Sequence, residues 1–251
     1  MIHFVGAGSG AEDLITLRGA ELLRRTDCII YAGSLVNPAL LGMAKDGCSV
    51  YDSARMTLEE VISVMREQEA KGADTVRLHT GDPCIFGAIR EQMDILDKLS
   101  IAYDYTPGVS SFCGAAAALK AEYTLPAVSQ TIIITRMEGR TPVPEKEKLS
   151  SLAAHGASMV IFLSVGMTQA VQDTLLQGAY TENTPAAIVY KATWPEEKVI
   201  RCPLGRLHES ALEAGISRTA LICVGDFLGD SYDRSRLYDP GFTTGYRQGE
   251  S

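Results

Sequence analysis

Residues 76–83 read Val76-Arg77-Leu78-His79-Thr80-Gly81-Asp82-Pro83, a strand-like stretch that ends in a turn. Gly81 lets the backbone approach a neighbouring group closely. Asp82 can accept a hydrogen bond or cap a helix, and Pro83 suits the first turn of a helix. Ligands of open parallel sheets bind outside the carboxyl ends of the strands, so this turn is a candidate binding element. A capped helix start would give the same pattern, and the residues alone leave both interpretations open.

Similar strand-like runs flank this stretch, and helical patterns lie between them. The clearest helical pattern is Thr57–Lys71, in which Thr57 and Glu60 have the spacing of a capping box. Its apolar residues Leu58, Val61, Ile62 and Met65 form one face. Alternating strands and helices predict a parallel sheet with right-handed crossovers. The predicted strands of the first half are Ile2–Val5, Cys28–Tyr31, Ser49–Tyr51, Thr75–His79 and Tyr103–Thr106.

The second half has a different pattern. An Ala-rich helix over Ser110–Ala121 ends near Tyr123-Thr124-Leu125-Pro126, where we predict a domain boundary. The strands Ala187–Tyr190 and Val199–Cys202 are close enough in sequence to form a hairpin, and a hairpin predicts a mixed sheet. The polar, Pro-containing segment Arg136–Glu147 is predicted to be a surface loop. The other predicted elements are strands Thr131–Thr135, Met159–Leu163 and Leu221–Val224, and helices Thr168–Leu176 and Leu207–Ala214.

Two more glycine-containing turns follow predicted strands. Gly6-Ala7-Gly8-Ser9-Gly10-Ala11 has the spacing of a dinucleotide-binding loop. That fold also needs an acidic residue after the second strand, where this chain reads Tyr31-Ala32-Gly33-Ser34. Thr106-Pro107-Gly108-Val109-Ser110-Ser111-Phe112 carries two serines that can cap a helix or bind a ligand. Tight turns and caps alone would explain each motif, whereas three such turns in one half of the chain favour a shared ligand pocket.

Composition excludes several classes of protein. The 251 residues carry a formal net charge of −8, which argues against nucleic acid or an anionic membrane as a partner. No apolar run approaches the ~20 residues of a membrane span. The six cysteines form no C-x-x-C pair, so a zinc site is not predicted, and Cys28 and Cys223 lie in apolar strands typical of buried small hydrophobes. We predict a cytoplasmic protein with reduced thiols.

These motifs, in this order, resemble those of the tetrapyrrole (corrin/porphyrin) methylases over nearly the whole chain. In the resemblance, Ser9 stands where the family usually has Pro, and Ala11 stands where it usually has Asp. Serine frees the φ angle and adds a donor. The tail Thr243-Thr244-Gly245 departs from relatives that often carry a His. The matching blocks are Gly6–Gly10, Leu78–Gly87, Pro107–Ser111, Leu163–Met167, Tyr190–Glu197 and Arg218–Leu221.

The resemblance implies a two-domain α/β tetrapyrrole methylase fold, with domains 1–125 and 126–251 and an active-site cleft between them. It implies a homodimer that uses S-adenosylmethionine as methyl donor and holds no protein-bound metal. Three segments favour precorrin-4 or cobalt-precorrin-4, methylated at C11 in cobalamin biosynthesis: Tyr31–Pro38, Lys191–Glu197 and Leu237–Phe242. Uroporphyrinogen III or a different precorrin is the alternative acceptor. The cofactor-binding residues that the resemblance implies are Gly8, Ser9, Gly81, Asp82, Pro83, Phe86, Ser110, Ser111, Gly166, Met167, Ala192, Thr219 and Ala220.

Methyl transfer from a sulfonium to an electron-rich carbon needs mainly positioning, and we assign no catalytic residue. His3, His79, His155 and His208 are predicted to be structural, and His79 is the histidine nearest to the predicted site. A carboxylate-rich substrate and an acidic protein require local cations, for which we nominate Arg55, Arg136 and Arg140. Solvated surface charge is the alternative role for each. A non-enzymatic ligand binder and a dinucleotide oxidoreductase are the other functions considered.

Overall fold

The computed structural model describes residues 1–249, which form two compact units. The first unit comprises Met1–Ala115 and Lys191–Glu197. The second comprises Ala116–Tyr190 and the chain from Lys198 onward. The proposed domain boundary at residues 125 and 126 stays a prediction. Within residues 1–249, no helix combines the length and apolar character that crossing a bilayer requires.

The first unit contains a five-stranded sheet in the order β3-β2-β4-β1-β5. All four neighbouring pairs are parallel, as the strand–helix alternation predicts. Both faces of β1 and β4 are buried, as is usual in a parallel sheet covered by helices. The elements of this unit are β1 Ile2–Gly6, α1 Leu17–Arg25, β2 Cys28–Tyr31, β3 Ser49–Asp52, α2 Leu58–Ala70, β4 Thr75–His79, α3 Arg90–Lys98 and β5 Tyr103–Thr106.

One apolar core lies on each face of this sheet. Leu23, Ile29 and Leu78 belong to one core, and Phe4 and Met65 belong to the other. Helix α2 contributes to the second core through the predicted apolar face. Its capping box is confirmed, because the Thr57 hydroxyl accepts from Glu60 N–H (3.3 Å) and the Glu60 carboxylate accepts from Thr57 N–H (2.7 Å). Such a cap contributes ~1 kcal/mol.

The second unit contains a mixed sheet in the order β6-β7-β10-β8-β9. Strands β6 and β7 are parallel, and the other pairs are antiparallel. The hairpin of β8 and β9 is confirmed, with Tyr190 opposite Lys198. The core between this sheet and its helices includes Met159, Ile188 and Leu207. The elements are β6 Ile132–Arg136, α5 Leu149–Ala153, β7 Ser158–Phe162, α6 Thr168–Leu176, β8 Pro185–Tyr190, β9 Lys198–Pro203, α7 Leu207–Glu213 and β10 Ala220–Val224. Helix α4, Ser111–Leu119, contains the division between the units.

At one functionally relevant place the structure excludes one of the two interpretations that the sequence left open. A helix start at Gly81-Asp82-Pro83 was one of two interpretations, but residues 83–86 form turns and α3 begins only at Arg90. The predicted burial of Cys28 and Cys223 is confirmed.

Candidate active site

Three glycines bring the carboxyl ends of β1, β4 and β5 into backbone contact. A Cβ on Gly6 would lie 2.6 Å from Gly108 Cα, and a Cβ on Gly108 would lie 2.2 Å from the Gly81 carbonyl oxygen. Gly8 and Gly81 form an antiparallel bridge, with Gly81 N–H donating to the Gly8 carbonyl at 2.9 Å. The three glycine turns predicted from sequence therefore meet at one edge of the sheet.

The Asp82 carboxylate joins two of these turns. Its Oδ1 accepts from Cys84 N–H (2.8 Å) and from the Tyr105 hydroxyl, and its Oδ2 accepts from Gly108 N–H (2.8 Å). Partial burial alone would raise the pKa of the Asp82 carboxyl, but these hydrogen bonds outweigh burial and the net pKa is lowered. Burial, followed by the hydrogen bond to Asp82, raises the pKa of Tyr105. The Asp82 carboxylate thus links these turns by accepting hydrogen bonds from donors within the protein.

The other predicted residues near the Asp82 turn surround the same edge. Pro83 is buried, and Phe86 is half-exposed with a φ of 57°. The Ser110 carbonyl accepts from Gly114 N–H (3.2 Å) where α4 begins. Gly81 packs against this helix start, because a Cβ there would lie 3.1 Å from Ser111 N. Gly8, Gly81 and Ser111 therefore lie close together at this edge of the first unit.

Ser9 and Ala192 also lie in the first unit, on segments in contact. Ser9 Oγ is 3.2 Å from Thr193 Oγ1. A Cβ on Gly10 would lie 2.7 Å from the Ala192 carbonyl oxygen. The Ser9 hydroxyl therefore contacts the hydroxyl of another residue of the chain. The predicted role of Ser9 in cofactor binding did not include this contact.

Gly166, Met167, Thr219 and Ala220 lie in the second unit. A Cβ on Gly166 would lie 3.3 Å from the Ser217 carbonyl oxygen, so the turn after β7 lies beside the segment that leads into β10. Thr219 has a φ of 56°. A cavity of about 380 Å³ opens at the same segment, lined by Tyr190, Lys198, Ala214, Gly215, Ile216, Ser217 and Arg218. The two cations of this cavity, Lys198 and Arg218, were not among the nominated substrate contacts. Lys198 is the first residue of β9 and Arg218 lies just before β10, and these positions are the signal that the sequence offered.

The three nominated arginines differ in their surroundings. Arg136 donates to the carbonyls of Met137 (3.4 Å), Thr141 (3.2 Å) and Pro142 (2.7 Å), so it braces the loop after β6. Arg55 and Arg140 are exposed, and neither forms an ion pair within residues 1–249. The roles of these residues toward substrate stay predictions.

Two basic side chains are buried in β4 on the same face. Arg77 donates to Gln92 Oε1 and to the Ile30 carbonyl, both at 3.1 Å. His79 is 4% exposed, stacks near Phe4, and its Nε2 has no partner in the described part of the chain. Burial, with a smaller contribution from the Arg77 charge, lowers the pKa of His79 to about 3. The imidazole is therefore neutral at physiological pH.

Across residues 1–249, no group of three or more His, Cys, Asp or Glu side chains is placed to hold a metal ion.

The site residues that the sequence did not indicate are polar partners from distant segments, namely Tyr105, which bonds to Asp82, and Thr193, which bonds to Ser9. Their roles depend on tertiary contacts, which no local pattern signals.

Comparisons with known proteins agree with the motifs. The family described as Tetrapyrrole (Corrin/Porphyrin) Methylases matches residues 1–208. A cobalt-precorrin-4 C(11)-methyltransferase of Methanocaldococcus jannaschii is 51% identical over 98% of this chain and 96% of its own length. A precorrin-4 C(11)-methyltransferase of a Sinorhizobium species is 44% identical over 98% of both chains.

A solved structure gives the same result for the fold. The crystal structure of a cobalt precorrin-4 methyltransferase, a cobalamin biosynthetic enzyme, superposes with a TM-score of 0.89 at 43% identity. The match covers 91% of this chain and 96% of that one. The resemblance in the glycine turns thus extends to the whole fold, and the chain belongs to the tetrapyrrole (corrin/porphyrin) methylase family.

Proposed function

We propose that this chain is an S-adenosylmethionine-dependent methyltransferase that methylates C11 of precorrin-4 or cobalt-precorrin-4 in cobalamin biosynthesis. The observation that carries the proposal is the 51% identity over 98% of the chain to a protein named for that reaction. Relatives named for the cobalt and the metal-free substrate are 51% and 44% identical, so both substrates enter the proposal.

The glycine edge of the first unit fits the methyl donor. Gly81 has a φ of 58° and lacks a side chain where its backbone meets the start of α4, so the backbones of the glycine turns approach each other closely at this edge. We propose that Gly8, Gly81, Pro83 and Ser111 hold the donor on the first unit, and the roles of the other predicted cofactor residues stay predictions. S-adenosylmethionine supplies an electrophilic methyl group on a sulfonium sulfur.

The protein's contribution is to hold both reactants still. Correct placement of two reactants lowers a barrier by up to ~7–11 kcal/mol. The Asp82 carboxylate fixes the turn after β4 to the turn after β5 through Tyr105 and Gly108, so both turns keep one shape. The attacking carbon belongs to a conjugated macrocycle and is already electron-rich. Neutral, buried His79 is assigned a structural role in this mechanism.

A dinucleotide oxidoreductase is disfavoured by the topology. In the classic dinucleotide fold the first and second strands are neighbours, whereas β4 lies between β2 and β1 here. The chain after β2 reads Ala32-Gly33-Ser34 and offers no carboxylate for a ribose. Both observations support S-adenosylmethionine over NAD.

The remaining expectations are a homodimer, implied by the resemblance, a cytoplasmic location, predicted from the composition, and the absence of a protein-bound metal. Light scattering of the purified protein and metal analysis of that sample test the first and the third. A monomer at micromolar concentration, or a stoichiometric metal, would contradict them.

The donor and the acceptor are tested separately. Calorimetry should show binding of S-adenosylhomocysteine and none of NAD. Transfer of labelled methyl groups should then occur to precorrin-4 or cobalt-precorrin-4, and not to uroporphyrinogen III. Tight NAD binding would overturn the donor, and labelling of uroporphyrinogen III alone would overturn the acceptor.

A further inference from the structure

The segment Lys191–Glu197, which follows β8, has an unusual backbone. Lys191 and Thr193 have φ angles of 45° and 68°. A left-handed conformation is uncommon for a residue with a Cβ and is a true outlier for a β-branched residue. Such strain persists only where surrounding contacts hold it, and it concentrates at functional sites. The contacts of Thr193 therefore need an explanation.

Thr193 is tied to the glycine loop, Gly6–Ala11, by its hydroxyl group. Thr193 Oγ1 accepts from Ala11 N–H at 3.0 Å and lies 3.2 Å from Ser9 Oγ. Its own N–H donates to the Glu197 carboxylate at 2.6 Å, which holds the left-handed backbone. One threonine hydroxyl thus contacts two residues of a loop that lies 182 positions away along the chain.

The next residue packs on the same loop. A Cβ on Gly10 would lie 2.0 Å from Trp194 Cδ1, so the indole occupies the space beside Gly10. Lys191 Nζ lies 4.8 Å from the centre of that ring and 3.5 Å from the Glu196 carboxylate. These contacts fix Trp194, and the fixed indole limits the positions that Gly10 can adopt.

The glycine loop is also held from its other sides. The Gly10 carbonyl accepts from Asn37 Nδ2 at 2.9 Å. A Cβ on Gly114 would lie 2.6 Å from Ser9 Cβ, so α4 packs directly on Ser9. Gly8 is bridged to Gly81. The loop therefore has one shape, and Thr193 holds the half of it between Ser9 and Ala11.

We propose that Thr193 is a positioning residue, whose hydroxyl sets the glycine loop in the shape that binds the methyl donor. The proposal rests on the proposed function and extends it to a residue that does not itself contact the donor. The Ser9–Thr193 pair restrains this half of the loop through a hydrogen bond between two side chains.

Thr193→Val removes the hydroxyl and keeps the shape of the side chain. We expect the dissociation constant for S-adenosylhomocysteine to rise about tenfold, because two hydrogen bonds to the loop are lost. The Michaelis constant for the donor should rise in parallel, with kcat changed less than about twofold. Thr193→Ser restores the hydroxyl and should return the dissociation constant close to the wild-type value. Ser9→Ala removes one of the two bonds and should weaken binding about threefold.

Thr184→Val is the matched control. Thr184 Oγ1 accepts from Thr181 N–H (2.8 Å) and contacts the Thr181 hydroxyl (3.3 Å), which repeats the bonding of Thr193 away from the candidate site. This control should lower the melting temperature and leave the dissociation constant unchanged.

The proposal is overturned if folded Thr193→Val binds with the wild-type dissociation constant, or if Thr193→Ser binds as weakly as Thr193→Val. If Thr193→Val does not fold, Ser9→Ala decides, and unchanged binding by that variant overturns the proposal. Wild-type protein that does not bind S-adenosylhomocysteine at all would refute the proposed function instead, so the two failures are distinguishable.

Discussion

At the residue scale, Gly81 is the position where backbone conformation and ligand approach coincide. Gly81→Ala should weaken S-adenosylhomocysteine binding about tenfold, or ~1.4 kcal/mol, in a calorimetric titration. The reason is that the new Cβ would lie 3.1 Å from Ser111 N, at the start of α4. Gly72→Ala is the control, because Gly72 has a similar φ of 70° and open space around it. Both variants should lose ~1–2 kcal/mol of stability to the left-handed backbone, and equal binding by both would contradict the assignment.

His79 provides a second prediction at this scale, through pH. The folded pKa of about 3 lies below the usual value of 6.5, so the unfolded chain takes up the proton first. The free energy of unfolding should therefore fall as pH drops from about 6.5 toward 3, by up to ~1.4 kcal/mol per pH unit from this group. His79→Leu should reduce that slope in urea titrations. An unchanged slope in His79→Leu would show that His79 is not buried as a neutral group.

At the scale of elements, Asp82 connects the turn after β4 to the turn after β5. Asp82→Asn replaces one of the two carboxylate oxygens with an NH₂ group, which donates and cannot accept. In one orientation the NH₂ group faces Gly108 N–H, and in the other it faces Cys84 N–H and the Tyr105 hydroxyl. We expect a loss of ~1–3 kcal/mol in the free energy of unfolding at pH 7. Asp52→Asn should lose little, since Asp52 accepts one backbone hydrogen bond that an amide oxygen can replace.

The pH dependence of this loss has a definite sign. The folded pKa of Asp82 is lowered below 3.8, so its stabilisation is present above that pH and is lost as pH falls through the lower folded value. The difference between wild type and Asp82→Asn should therefore shrink in acid. A difference that grows below pH 3.8 would contradict the assigned network.

The cavity beside the first residues of β9 and β10 gives another prediction at the element scale. Lys198 and Arg218 line it, and neither has an ion pair among the described residues. The double variant Lys198→Ala and Arg218→Ala should raise the dissociation constant of a fluorescent polycarboxylate porphyrin about tenfold, because charge-assisted bonds are lost. Lys71→Ala, which follows α2 at the amino edge of the first sheet, is the control.

The arginine that braces the loop should behave differently. Arg136→Ala should lower the melting temperature, because the guanidinium donates to three carbonyls of its own loop. Wild-type porphyrin binding by the double variant at Lys198 and Arg218 would leave Arg55, Arg136 and Arg140 as the nominated cations.

The elements themselves were accessible from sequence to different degrees. Buried strands such as Thr75–His79 were predicted with their observed bounds, since a strand-like stretch that contains Val76 and Leu78 and precedes a glycine turn is a local signal. The turn at Gly81-Asp82-Pro83 was ambiguous, because an aspartate accepts from a backbone N–H two residues on in a turn as readily as in a cap. The partners of Asp82 and Ser9 were not predictable, since Tyr105 and Thr193 reach them only through the tertiary fold.

At the scale of the whole molecule, the net charge of the chain and its sequence identity to relatives both bear on how it would bind its substrate. A chain with a net charge of −8 must bind a polycarboxylate through local cations rather than through its overall field. Two relatives, 51% and 44% identical to this chain and matched over at least 96% of their own length, are named for one reaction, with and without cobalt. The central claim is therefore the position of methylation.

The most direct test of that claim is to locate the transferred carbon. Purified protein is incubated with S-adenosylmethionine labelled with ¹³C in the methyl group, and with precorrin-4 or cobalt-precorrin-4. NMR of the product should show one labelled methyl group, on C11 of the macrocycle. A label on another ring carbon, or no transfer to either substrate by protein that binds S-adenosylhomocysteine, would contradict the account.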